Sequence, residues 1–471
     1  MGGGLMQLVA YGAQDIYLTG NPQITFFKVV YRRHTNFAME AIEQTMNGTA
    51  DFGNTVSVTI SRNGDLVHKM YLEHDAKFTS AAQNDTYLNI CSNYGANLIK
   101  ECELEIGGQK IDKHYSHWIS IWSQLTEFNP TGAFNNGFDH VNAIPTVNDN
   151  DSFKSTLFHT MSGNGGAVTT GLHATADRTA TLSSWSMTGK GDGSADTAET
   201  KIFIPLYFWF CRNPGLALPL IALQYHEVKV RMTFDTSANL VCQSFEETTN
   251  QNDLLGDTQT GTTAYSAATV TSKSFNLWCD YIYLDTDERR RFAQVSHEYL
   301  IEQLQFQSVS GSSSIDLNFN HPVKELIWTS SDNSRQVPIS TFIPYANAST
   351  VGASTQIANM KLRESKTLSG DFKLKLNGHD RFSSRDHTYF TRTQIWQHHT
   401  GYGSLINNDA IAVYSFALKP EEHQPSGTCN FSRIDNAQLS STAAAGNYNV
   451  YAVNYNVLRI MSGMGGLAYS N

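Results

Sequence analysis

The sequence predicts an all-β chain built from two similar domains in tandem, and three observations predict it. Composition is the first: 25 Phe, 21 Tyr and 34 Gly stand against only 16% charged residues, and long Ser/Thr/Asn-rich stretches separate apolar runs that alternate, as strands and their connections do. Length is the second, because 471 residues exceed what one hydrophobic core usually serves. The third is an internal repeat kept in order along the chain. Ala41–Gln44 recurs as Leu300–Gln303 and Val56–Ile60 as Ile315–Phe319, both at one offset. Glu103–Gly108 recurs as Lys373–Gly378, each followed by an Ile-Trp pair at Ile121-Trp122 and Ile395-Trp396. Phe210–Pro214 then answers Phe416–Pro420, and Tyr225 answers Phe431, at a shorter offset, so the first copy carries extra residues.

The seam between the copies is Leu277–Phe306. Its first part alternates as a buried strand. Asp285 then supplies an N-cap oxygen, and Asp287 and Glu288 precede Arg289, Arg290 and Arg291, the charge order that a short helix prefers. Period two returns from Glu298. The resulting division is an arm over 1–23, a first domain over 24–286, a linker helix over 287–295 and a second domain over 296–471.

Taken in order, residues 1–23 are Gly-rich and end in the turn cluster Thr19-Gly20-Asn21-Pro22. Three consecutive glycines make the arm costly to order without a partner surface. Ile24–Tyr31 predicts the first strand, and Arg32-Arg33-His34 reads as its solvated end. Strands follow at 55–61, 66–73 and 97–106. His114–Glu127 places Trp118, Ile121, Trp122 and Leu125 at helical spacing; this helix, the arm and the loops are the parts expected to meet neighbouring chains. Residues 129–200 and 235–273 read as two polar insertions confined to the first copy, which cluster at one end of its domain. Ile202–Leu223 reads as two buried strands around a turn, since Pro205, Arg212, Pro214 and Pro219 exclude a membrane-spanning helix.

The charge balance, 33 basic against 43 acidic residues for a formal net charge of −10, argues against a surface that neutralises nucleic-acid phosphates. Six cysteines without CxxC spacing read as free thiols in a reducing compartment. The start has neither the basic nor the apolar region of a signal peptide, and Met6 occupies the position where a myristoylation motif needs a hydroxyl. No phosphate loop, HExxH or GxSxG is present. His114/His117 and His398/His399 have suggestive spacing, but nothing completes a ligand set and a packed side chain is the better reading. Asp149/Asp151 and Asp380/Asp386 are carboxylate pairs in loops that give no reason for a shifted pKa. The sequence therefore assigns no catalytic, cofactor-binding or metal-binding residue, and no cofactor. Asn-x-Ser/Thr sequons at Asn47, Asn84, Asn150, Asn347 and Asn430 carry little without a signal peptide.

Three segments are specific enough to carry a resemblance. Asp15–Glu40 (DIYLTGNPQITFFKVVYRRHTNFAME), Phe208–Val230 (FWFCRNPGLALPLIALQYHEVKV) and Tyr414–Asp435 (YSFALKPEEHQPSGTCNFSRID), with LDTDERRRFAQ at the seam, resemble the major capsid protein of nucleocytoplasmic large DNA viruses. The resemblance implies two eight-stranded antiparallel jelly rolls in tandem. It implies three chains per pseudo-hexagonal capsomer in the icosahedral shell of a virion, synthesis in the host cytoplasm, and neighbouring capsomers, minor capsid proteins and the internal membrane as partners, without direct contact to nucleic acid. The two insertions match no motif of the family. The competing reading is a β-sandwich carbohydrate-binding or carbohydrate-active protein, which shares composition and fold class; a tandem-domain adhesin is the third. The missing signal peptide and convincing carboxylate pair weigh against the carbohydrate reading, and discrete trimers rather than a glycan-binding monomer would weigh against the adhesin.

Overall fold

The structure is a computed structural model that describes residues 31–79, 86–90, 94–127, 197–245, 264–267, 269–330, 368–401, 409–443 and 446–469, with 10, 12–19, 21–23, 27, 29, 158, 161, 162 and 403. Residues 38–471 form one compact unit and residues 1–37 another.

The strands of the larger unit alternate buried and exposed residues, as in Thr55–Thr59 and Leu66–Thr79. One face of each sheet is therefore apolar and needs a second sheet to cover it. The first sandwich pairs Phe37–Gln44, Thr269–Leu284, Leu66–Thr79 and Thr197–Pro205 in that order, with the short Leu218–Pro219 added to Leu66–Thr79. Its facing sheet runs Met46–Asn47, Thr55–Thr59, Val228–Phe234, Ile99–Ile106, Gln109–Tyr115. The second sandwich repeats both orders. His297–Ser312, Gly446–Met461, Pro322–Ser330 and Ile411–Ser415 form one sheet, with Cys429–Asn430 added to Pro322–Ser330; Ser314–Asp316, Ala437–Ser441, Asp371–Leu376 and His379–Asp380 form the other. Every pairing given for these strands is antiparallel. The chain is thus all-β, a double jelly roll.

Register fixes the repeat residue by residue. Val58, Val230 and Leu104 lie in one row of the first sandwich, and Ile315, Leu439 and Leu374 in one row of the second, all fully buried. The hairpins after Ile99–Ile106 and Asp371–Leu376 each have positive φ at both turn residues, Gly107 and Gly108 in one copy and Asn377 and Gly378 in the other, as a two-residue type I′ turn demands. Leu66 and Val67 receive Pro219 and Leu218 as Pro322 and Val323 receive Asn430 and Cys429. A one-residue bulge follows in both strands.

Several expectations are corrected. Val58, not Val56, is the equivalent of Ile315; the sequence match was two residues out, which preserves the face because side chains alternate with period two. Phe431 follows Asn430 as Leu220 follows Pro219, so buried Leu220 and not exposed Tyr225 is its equivalent. No strand is found among the described residues of 24–36, and the first begins at Phe37. Residues 235–273 are not simply an insertion. Ser237–Leu240 is a helical turn, Val241–Phe245 and Ala264–Ala267 form a three-stranded sheet with Thr86–Ile90, and Thr269 opens the seam strand. Ile202–Leu223 holds one strand end, ending at Pro205, then the helical turns Trp209–Arg212 and Pro214–Leu216 and a two-residue strand. Most of 129–200 lies outside the described residues, and 197–200 already belongs to a strand. The linker helix spans Thr286–Gln294, with the Asp285 carboxylate accepting from the Thr286 N–H at 2.8 Å.

Candidate functional site

The two sandwiches meet along a buried seam that draws side chains from both. Helix Ser116–Thr126 follows the last strand of one sheet in the first sandwich, and its apolar stripe is fully buried. Trp118, Ile121, Trp122 and Leu125 join Ile327, Ile395, Ile411, Val413, Tyr451 and Val453 of the second sandwich in one cluster. Trp118 stacks on Trp122 with centroids 5.2 Å apart and lies 5.4 Å from Tyr451. This corrects the expectation that the helix meets neighbouring chains: its stripe is spent inside its own chain. The second sandwich also caps the helix, because the N–H groups of Gly401 and Gly403 donate to the carbonyls of Leu125 and Gln124 at 2.8 and 3.1 Å. Thr400 Oγ1 donates to the Thr126 carbonyl at 2.8 Å. A Cβ on Gly401 would stand 2.3 Å from the Gln124 oxygen, so only glycine fits there.

Two ion clusters flank this core. Arg212, from the turn Trp209–Arg212, lies over the Trp122 ring at 4.5 Å and bonds Glu302 on the second sandwich. Glu302 also meets Lys324 at 2.8 Å and His423 at 3.5 Å. Burial alone would raise the Glu302 pKa, but Arg212 and Lys324 overcome it and hold the carboxyl ionised far below the usual range. Lys324, in the bulge of its strand, is completely buried, and burial lowers its pKa against the pull of Glu302. In the second cluster His399 is held by Glu325 at 3.1 Å and Glu421 at 2.9 Å. Burial disfavours its charge, yet the two carboxylates raise it to about 9, so it is an imidazolium at neutral pH. A cleft of about 510 Å³ opens beside these groups, lined by Trp209, Arg212, Glu302, Glu421 and His423 among others. Its charges are already matched within the chain, which suits a clasp between domains.

The histidines singled out from sequence do not converge. His114 pairs with Asp112 at 2.9 Å and stacks on Phe208, while His117 bonds the Tyr451 hydroxyl at 3.0 Å. His398 bonds the Leu418 carbonyl at 3.2 Å. Among the described residues no group of three or more His, Cys, Asp or Glu is disposed to hold a metal ion. Asp380 is paired with Lys373 at 2.6 Å, and hydrogen bonds from Thr388 lower the Asp386 pKa. Asp149 and Asp151 lie outside the described residues. Cys102, Cys211 and Cys279 are free and buried, and burial pushes all three thiols up, Cys211 to about 12. Sequence reasoning picked out His399 as a held side chain but missed its carboxylate partners, and it missed the cluster of Arg212, Glu302 and Lys324. The available signal was charge inside an apolar strand, as Lys324-Glu325 stand within Val323–Trp328.

Two sandwiches of one topology, clasped by buried ions, define a structural class of double-sandwich protein. The comparisons agree. A family described as "Major capsid protein N-terminus" matches residues 25–285, and one described as "Large eukaryotic DNA virus major capsid protein" matches 288–466. The major capsid protein of Pyramimonas orientalis virus is 48% identical, with all of both chains covered. That of Paramecium bursaria Chlorella virus 1 is 40% identical over the same full coverage. A quasi-atomic model of the PBCV-1 virus capsid matches with TM-score 0.65 and 36% identity over 95% of this chain and 100% of that one. The Faustovirus major capsid protein, 12% identical with TM-score 0.59 over 96% and 94%, shares the fold. The chain belongs to the large eukaryotic DNA virus major capsid protein family. It is a structural component of the virion shell and not an enzyme.

Proposed function

We propose that three copies of the chain close into a pseudo-hexagonal capsomer, and that such capsomers tile the flat facets of an icosahedral shell. The observation that carries this is the repeated sheet order, with matching bulges and hairpins, in two sandwiches of one chain. Two like sandwiches per chain let threefold symmetry approximate sixfold packing. The working division remains an arm over 1–23, the two sandwiches over 24–286 and 296–471, and a helix between. The insertions would face outward, and the arm would dock inward on minor capsid proteins above the membrane. Synthesis would be in the host cytoplasm. Light scattering on the purified chain tests the assembly: a mass three times 52.3 kDa is expected, and a stable monomer across a wide concentration range would overturn it.

A further inference from the structure

The internal repeat says where the next chain sits. Within the chain, Trp122 is covered by the second sandwich and by the Arg212 guanidinium. Its repeat equivalent is Trp396, and the equivalent of Arg212 in the matched Phe210–Pro214 and Phe416–Pro420 segments is Leu418. These two lie at the same place on the second sandwich, where His398 beside Trp396 bonds the Leu418 carbonyl. Both are bare. Trp396 is 80% exposed and Leu418 76%, whereas Trp122 is 2% exposed. Large apolar side chains so exposed and close together mark an interface.

The receiving face is equally legible. In the second sandwich, helix Ser116–Thr126 rests on the outer row Tyr451–Ile327–Val413 and on Ile411. Register places Trp278–Tyr71–Pro205 and Phe203 at the matching positions of the first sandwich, where the same bulge precedes the same row. Ile327, Ile411 and Tyr451 are buried; Trp278, Tyr71 and Phe203 are only half-buried, with Tyr71 and Phe203 in edge contact at 6.2 Å. One sandwich thus shows an uncovered helix face and the other a partly exposed aromatic sheet face. Within one chain the counterparts of these two faces already lie against each other.

We infer that Trp396 and Leu418 of one chain seat on the Tyr71, Phe203 and Trp278 face of a second copy, repeating between chains the seam made within each chain. The inference rests on the capsomer reading above and gives it a named contact. Each of three copies would offer one face and receive on the other, a head-to-tail arrangement that closes into a ring after three steps. The contact lacks the buried ion cluster of the inner seam, because Leu418 replaces Arg212, and the polar groups on the receiving face, Glu73 with Lys201 and the Trp278 indole N–H, are already matched within the chain.

A photo-crosslinking residue at position 396 tests the geometry, with sedimentation of Trp396→Asp/Leu418→Asp as a second arm. The expected result is crosslinking within 69–75, 201–205 or 276–280 of a second chain. The double variant should keep the wild-type circular dichroism and assemble at least tenfold more weakly. Trimers that crosslink elsewhere, or a double variant that assembles as well as wild type, would overturn the contact while leaving the capsomer intact. Wild-type chains that never associate would overturn both.

Discussion

His399 shows how a single side chain binds the two sandwiches. It holds Glu325 and Glu421 and leads directly into the Thr400–Gly403 cap on the helix of the first sandwich. Its pKa is raised from 6.5 to about 9, so the stabilisation is fully present below pH 6.5 and is lost as pH rises through 9. Its size is about 3 kcal/mol from the shift. His399→Gln should therefore lower the urea midpoint at pH 6, and the gap to wild type should close by pH 10. An equal gap at both pH values would contradict the assignment. Glu302→Ala leaves Lys324 buried without its counter-ion, for which a loss of about 3–5 kcal/mol is expected. Urea unfolding at pH 7 measures it, and a loss under about 1 kcal/mol would show that water reaches the site. Glu302 did not stand out in the sequence, and His399 stood out only beside His398, because a buried ion pair is defined by what faces it across the fold: Lys324 lies 22 residues from Glu302, and His399 lies 74 from Glu325.

At the scale of elements, local rules read well where the sequence pattern and the packing agree. The linker helix falls within a residue of its prediction because Asp285 caps it and charge order supports it. Helix Ser116–Thr126 was legible from its apolar spacing, yet its partner was not, since periodicity gives a face without saying what covers it. The Gly401 contact depends on that partner. Gly401→Ala would drive a methyl into the Gln124 carbonyl, at an expected cost of about 1–3 kcal/mol, seen as a lower melting temperature. Alternation over Ile24–Tyr31 predicts a strand, and Phe27, Val29 and Tyr31, the described residues of that stretch, are not in one; a strand forms only where an edge accepts its N–H groups. The stretch 235–273 misled in the opposite way, because polar composition hid short strands whose ladder is backbone-made.

For the whole molecule, the tandem duplication was the most legible feature, and it was read two residues out at Ile315 because a period-two pattern looks the same after a shift of two. The seam, by contrast, needed three dimensions, since it gathers residues from 115 to 453. The two sandwiches are expected to occupy near-equivalent places in a ring of three chains. Averaged electron micrographs of the purified assembly viewed down its threefold axis test it most directly. Six lobes of similar size should stand around the ring, alternating first and second sandwich. Three lobes, or a particle with only one chain, would contradict it.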